Sequence, residues 1–482
     1  MGKILEGLEP EKVFCYFEKI CRIPHGSGNT DKLSDFCAEF AKKRGLDFFQ
    51  DEMKNIVIFK KATKGKEKSP TLVIQGHLDM VAEKKPDSVH DFLKDPLKLR
   101  VDGDYIMATD TTLGGDDGIA IAYALAILDS EEIPHPKLEV VFTVEEETGM
   151  TGAADIDLSG LNGKFLLNID SEEEGVLTVG CAGGLKSVAR FRLVKDFLTG
   201  KKYNLKINGL RGGHSGIEIH KERANAIILM GRVLYNLRNK TEIKLLNISG
   251  GNKDNAIPRE AESSILIQDE ELLFVRAILE ETEENFKKEF SESDPNIQIS
   301  LQEEDFNDYE IFSDSQFDKI LIFLMSVPDG VQNMSMKIPG LVETSSNLGI
   351  IRISGEYLEA VFALRSSVKE RKEALNLKIK AIVKYLGAEY TQGAEYPEWD
   401  YNKESVLIEF MKKTYLRMYG EEPKISSIHA GLECGYILQK LGSNEAVSFG
   451  PEMHDIHTTE EKISISSIKR TYEYLLEILK EI

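Results

Sequence analysis

The sequence predicts an α/β protein, a mixed sheet flanked by helices, with a stretch of α+β character between its two parts. Three observations carry this. The first third of the chain alternates helix-like and strand-like segments. From Gly183 to about Tyr396 the texture changes to longer strands followed by charged helices, and after the Pro397–Tyr401 bend it returns to α/β. Several predicted elements also end in His, Asp or Glu, at the sheet edge where α/β proteins place ligands.

Between Thr30 and Gly45, Leu33, Phe36, Cys37, Phe40 and Ala41 follow the i, i+3, i+4, i+7, i+8 spacing of one helix face, and Gly45 closes it. Asn55–Phe59, Thr71–Gln75, Leu138–Val144 and Lys164–Ile169 are short apolar runs rich in β-branched residues, as in strands buried on both faces. Lys60–Lys68 reads as a solvated basic hairpin loop. Residues 186–305 hold a helix at Arg223–Leu237, strands around Gly250 and an acidic helix at Asp269–Glu289. Residues 306–396 hold a helix near Phe317–Met325, strands within Leu341–Leu364 and a basic helix at Lys369–Leu386, so two related α+β subdomains are expected. Beyond the bend come helices from Val406, Gly431 and Ile463, with a strand at Ala446–Phe449.

Composition narrows the function. Hydrophobic residues make up 41% of the 482, enough for two or three domains with substantial cores. A net charge of −21 repels phosphate backbones and anionic lipid, so neither nucleic acid nor membrane is an expected partner. The longest uncharged apolar run, Gly118–Leu128, has 11 residues, whereas a spanning helix needs about 20. The N-terminal residues lack an apolar signal core, and a cytoplasmic address is expected. Five cysteines, an odd number without a C-x-x-C pair, are expected as small buried hydrophobes. His25, His90 and His135 lie in Pro- or Asp-rich loops and are expected to face solvent.

The chemistry gathers at element ends. Gln75-Gly76 leads into His77-Leu78-Asp79, Val144 into Glu145-Glu146-Glu147 and Ile169 into Asp170, while Asp116-Asp117 precede the helix from Ile119. Each has a plain reading: Asp116 as a helix cap, Asp170 as a strand end, the Glu run as a solvated cluster. Their coincidence at one sheet edge suits a divalent ion with mixed N/O ligands, Zn²⁺ first, with Mn²⁺ or Co²⁺ as substitutes. His454 and His457 follow the Ala446 strand through a Gly-Pro loop to the same edge. No P-loop, no G-x-S-x-G and no Cys/His nucleophile pair competes.

GHLDMV, TLGGDDG, EEETGMTGA, NIDSEEEG and HTTEE, in this order, resemble the aminoacylase/carnosinase-type family of two-zinc metallopeptidases. GCAGG, HAGLECG and DNAIPREA are most similar to its aminoacyl-histidine (cytosol non-specific) dipeptidase branch, over essentially the whole chain. The resemblance implies one zinc held by His77, Asp116 and Asp170 and a second held by Asp116, Glu147 and His457, with Asp116 bridging. It implies Glu146 as general base, Asp79 as the acid that orients His77, and His214 as a donor to the developing oxyanion, in related dimers from the other subunit. Asn255 and Arg365 are implied substrate contacts, and Glu433, at a helix start, is expected to meet the substrate's α-ammonium group. Asp117 stands where Asn is expected and would add a negative charge beside the bridge.

With His457 drawn to residues 77–170, residues 186–396 become an insertion between catalytic-domain segments 1–185 and 397–482. The resemblance identifies the insertion as a lid through which a homodimer forms, and implies a dipeptide substrate, Xaa-His included. An N-acyl amino-acid deacylase on the same site, or a non-catalytic metal-binding protein, are the competing readings; the spare carboxylate Glu146 beside a full ligand set speaks against the last.

Overall fold

The apolar runs at Leu72–His77, Leu138–Thr143 and Phe165–Asn168 lie side by side as parallel strands, and Glu445–Ser448 joins them in parallel from far along the chain. In the computed structural model, which describes residues 4–482, these four are the middle of an eight-stranded mixed sheet. Its order is Asp47–Gln50, Ile56–Lys60, Leu138–Thr143, Leu72–His77, Phe165–Asn168, Glu445–Ser448, Val176–Cys181, Lys424–Ile428. Every residue of Leu72–His77 and Leu138–Thr143 is buried, which is why both strands are apolar on both faces. Because the four strands run the same way, their carboxyl ends, with His77, the Glu145–Glu147 turn and Asp170, open on one edge.

The chain divides into two compact units. The first comprises the residues up to Cys181 together with Trp399–Ser427 and Leu432–Ile482; the second comprises Ala182–Glu398 and Ile428–Gly431. The first unit carries the eight-stranded sheet and the helix Gly115–Leu128, all of whose residues are buried, with Glu11–Cys21 packed against it through Phe14, Phe17 and Ile20. A second, four-stranded sheet runs Met453–His454, Lys462–Ser464, Tyr105–Ala108, Leu99–Asp102, and the loop closing its first pair carries His457. Among the described residues no helix is long and apolar enough to cross a membrane.

The second unit is built on one large sheet beside the short pair Gly213–His214 and Ala256–Ile257, not on the two subdomains expected over 186–305 and 306–396. Nine antiparallel strands share it, with helices at Ala226–Lys240, Leu272–Glu289, Asp314–Ser326 and Lys369–Tyr385. The strand Gly183–Arg192, early in sequence, pairs with Tyr357–Ser366 and Glu389–Tyr396 from the late half. Gln298–Phe312 straddles the expected boundary and pairs along Lys195–Asn208. One core therefore draws Phe191, Leu234 and Ile265 together with Phe323, Phe362 and Ile379. Local periodicity does not encode such long-range pairing.

Three smaller expectations fail, those for the histidines and Lys60 because a loop in a large fold can be covered. His25, His90 and His135 are buried; His25 Nδ1 donates to the Ile23 carbonyl at 2.6 Å and His135 Nδ1 to that of Pro136 at 2.7 Å. Cys15 is exposed, unlike the other four cysteines. Lys60, expected in a solvated loop, ends its strand buried, and its ammonium donates to the carbonyls of Ile127 at 3.0 Å, Leu128 at 3.1 Å and Ser130. It thus neutralises the negative end of the buried helix. Lys60→Met should leave these carbonyls without a donor and lower the unfolding free energy by about 1–3 kcal/mol. Lys68→Met, at an exposed position, should stay within about 0.5 kcal/mol of the parent; chemical denaturation measures both.

Candidate metal centre

His77, the last residue of its strand, is 1% exposed. Its Nδ1 lies 3.0 Å from the Asp79 carbonyl oxygen, so this nitrogen carries the proton and Nε2 turns to the carboxylates, 2.9 Å from Asp116 Oδ1 and 3.7 Å from Asp170 Oδ1. His457 Nε2 approaches the same aspartate from the other side, 3.2 Å from Asp116 Oδ2 and 2.9 Å from Glu147 Oε1. Two triads result, His77/Asp116/Asp170 and Asp116/Glu147/His457, in each of which the ligand-type atoms lie within 4.8 Å of one another. They share Asp116, which turns one oxygen to each ring. A carboxylate between two imidazole-bearing triads is the donor set a pair of divalent ions requires. Glu146 and Glu147 form a third such group with His77.

The electrostatics describe an anionic hole. Burial, and then repulsion from Asp116 and Glu147, push Asp170 up to about 6 against the pull of His77. Burial, then Asp116 and Asp170, raise Glu172 to about 7, and burial also holds Glu146 well above its ordinary value. His457 is pushed up to about 10 by its bonds to Asp116 and Glu147. Burial opposes a charge on His77, but the bonds to Asp116, Asp170 and Asp79 outweigh it and raise the ring well above its usual range. A divalent cation among these groups would reverse the order of stability, favouring ionised carboxylates and neutral rings.

The turns that deliver these groups are held by other carboxylates. Asp79, expected to orient His77, faces Nδ1 with Oδ1 at 3.6 Å, and its own backbone carbonyl lies nearer, at 3.0 Å. The Asp79 carboxylate accepts from the Glu146 N–H at 3.0 Å, the Glu147 N–H at 3.3 Å and the Ser27 hydroxyl at 2.8 Å. It thereby fixes the turn that presents both glutamates, whose first residue, Glu145, is held at φ 58°. His457 is at φ 60°, strain that the surrounding sheet and loop must sustain.

Asp117, expected to add a charge beside the bridge, is fully buried and accepts from the His77 N–H at 3.1 Å, and burial raises its carboxyl well above the usual range. A Cβ on Gly76 would stand 2.5 Å from Asp117 Oδ2, so glycine is what admits this contact. Glu433 is corrected too. Its side chain is wholly buried, accepts from Gln75 Nε2 and Thr143 Oγ1, both at 2.6 Å, and burial pushes it up to about 8. It lacks the open face that an ammonium partner requires.

Sequence reasoning missed Glu461. Its Oε2 accepts from Leu113 N at 2.8 Å and Gly114 N at 3.3 Å, and its Oε1 accepts from Gly115 N at 2.8 Å, gripping the loop that leads into Asp116. It stood in the quoted HTTEE motif, but nothing there says which backbone amides it reaches. Missed as well were Ser27 and the chain Asn168 to Gln75 to Glu433 under the strand ends, whose first link is 2.6 Å.

The remaining predicted residues lie in the second unit. His214 Nδ1 accepts from the N–H groups of Gly216 and Ile217, both at 3.2 Å, which leaves the proton of the neutral ring on Nε2. Burial, then Arg365, lower its basicity and keep it neutral. Arg365 is buried and donates from Nη1 to Tyr396 Oη at 2.6 Å. Asn255 is exposed, and its carbonyl accepts from Ser215 N at 2.9 Å.

Residues 73–481 match the model of peptidase family M20/M25/M40. The chain is 35% identical over 480 residues to the cytosol non-specific dipeptidase of Escherichia coli K12, covering 99% of both. It is also similar to the crystal structure of aminoacylhistidine dipeptidase from Vibrio alginolyticus, with a TM-score of 0.93 at 34% identity, over 99% of this chain and 98% of the other. The aminopeptidase PepT structure from Bacillus cereus, with a TM-score of 0.57 at 15% identity over 98% of this chain and 99% of that one, shares the fold. With most of its length matched by the family model, this chain belongs to peptidase family M20/M25/M40.

Proposed function

We propose that the chain is a two-metal dipeptidase that hydrolyses the peptide bond of unblocked dipeptides, Xaa-His among them. The observation that carries this is Asp116, one oxygen toward His77 and the other toward His457, at the junction of two triads. Its relatives' names supply the substrate class: a cytosol non-specific dipeptidase and an aminoacylhistidine dipeptidase, each matched over nearly its whole length. On this reading His77, Asp116 and Asp170 hold one ion and Asp116, Glu147 and His457 the other, zinc being the first choice for two imidazoles among carboxylates. The same resemblance extends the proposal to a cytoplasmic enzyme whose second unit is a lid and forms a homodimer.

Bound divalent ions supply Lewis acidity for the scissile carbonyl and acidify the attacking water. Glu146 takes the water's proton and hands it to the leaving amine. Glu147, 2.9 Å from His457 Nε2, can ligate while Glu146 stays free. Asp79 keeps the two in place through their backbone N–H groups. His214, neutral with its proton on Nε2, donates to the oxyanion as it forms, and Asn255 and Arg365 contact the substrate.

Reconstitution with Zn²⁺, Mn²⁺ or Co²⁺ followed by a dipeptide panel tests the function: unblocked dipeptides should be cleaved and their N-acetyl forms should not. Cleavage of only the N-acetyl forms would assign a deacylase. Glu146→Ala should retain two metals per chain by elemental analysis and lose about 10²–10⁴ in kcat, whereas Glu147→Ala should lose metal. The reverse pattern would exchange their roles. His214→Ala should lower kcat by about 10² or more with KM and metal content little changed.

A further inference from the structure

We infer that His429, positioned by Ser345, is a second hydrogen-bond donor beside Arg365 for the free α-carboxylate of the substrate, an inference that rests on the dipeptidase reading. The residues involved all belong to the second unit. Ser345 and Arg365 are directly opposed on the antiparallel strands Val342–Ser354 and Tyr357–Ser366, so their side chains share one face of the sheet. His429 is carried to that face by the segment Ile428–Gly431, whose Ile428 and Ala430 carbonyls accept from Ala182 N at 3.1 and 3.0 Å. Its Nε2 lies 2.7 Å from Ser345 Oγ. Gly216 marks the convergence: a Cβ there would stand 2.6 Å from the His429 carbonyl oxygen, 2.9 Å from His214 Cε1 and 3.2 Å from Arg365 Nε.

Two nitrogens are the donors on this inference, His429 Nδ1 and Arg365 Nε. Burial, and then the proximity of Arg365 and His214, push His429 down to about 3, so the ring is neutral and carries one proton. The Ser345 hydroxyl has His429 Nε2 as its partner, and the hydroxyl is inferred to be the donor, which puts the ring proton on Nδ1. That Nδ1 is buried and has no partner among the described residues, and the same holds for Arg365 Nε. Tyr396 Oη holds the Arg365 Nη1, and a Cβ on Gly184 would collide with the Tyr396 ring at 2.1 Å, so the guanidinium is oriented by a tyrosine that only glycine admits. Two buried donors left without acceptors are costly unless a ligand completes them. A carboxylate, planar and with two oxygens, offers the two acceptors that both require.

The test compares glycyl-leucine with glycyl-leucinamide, which lacks the negative carboxylate. Calorimetric binding to the metal-loaded Glu146→Ala protein leaves either ligand intact. His429→Ala in that background should weaken glycyl-leucine binding by roughly 10- to 100-fold and leave the amide within about 2-fold. His429→Asn, whose amide nitrogen replaces Nδ1, should recover most of the preference, and Ser345→Ala should lose part of it. In the enzyme with Glu146 restored, the loss should fall on KM for glycyl-leucine and not on kcat. Equal weakening of both ligands, no recovery by Asn, or a parent that does not prefer the carboxylate would overturn the inference. Should the parent cleave no dipeptide, the dipeptidase reading fails by itself, and the binding preference still decides the role of His429.

Discussion

A cluster of carboxylates held out of water organises this protein. Asp79, Asp116, Asp117, Glu146, Glu147, Asp170 and Glu172 crowd around two imidazoles at the carboxyl ends of four parallel strands. Such a cluster is tolerable only with compensating positive charge, because desolvation and like-charge repulsion both act against it. The parallel sheet makes the crowding unavoidable, since strands running one way deliver all their terminal side chains to one rim. Without a cation the raised basicity of His77 and His457 supplies part of the compensation. The fold thus concentrates an electrostatic problem that divalent cations would relieve.

The acids divide their labour by what they face. Asp116, Glu147 and Asp170 face the rings, while Asp79, Asp117 and Glu461 spend their oxygens mainly on backbone N–H groups of the turns that carry them. A carboxylate accepting two or three amides turns a flexible loop into a fixed support, and it does so without a side chain entering the centre. His457, at positive φ, depends on the same arrangement, since the four-stranded sheet that carries its loop also brings Glu461 to the turn before Asp116.

Much of this was legible in the sequence, for identifiable reasons. The buried strands read as uninterrupted apolar runs, the buried helix as an apolar stretch, and His77, Glu147 and Asp170 as polar residues placed just where those runs stop. What was illegible depends on pairing across long separations. Nothing local to Gly183–Arg192 says that it belongs beside Tyr357–Ser366, and nothing local to Glu461 says that it grips Leu113–Gly115. Burial of polar residues was hidden likewise. Lys60 sits in a run of lysines, Glu433 at a helix start and Asp117 beside a ligand-type aspartate, and in each case the deciding neighbours come from elsewhere in the chain.

The distance along the chain between His457 and the earlier members of the centre has a consequence for biosynthesis. His77, Asp116, Glu147 and Asp170 precede it by about 290 residues or more, which at roughly 5–20 residues per second is on the order of 15–60 s of translation. Throughout that interval the emerging polypeptide carries a carboxylate cluster with one imidazole and without the Glu461 grip on its turn. The second imidazole and the Glu461 grip therefore join the cluster only after the last strand of the parallel set, Glu445–Ser448, has been made.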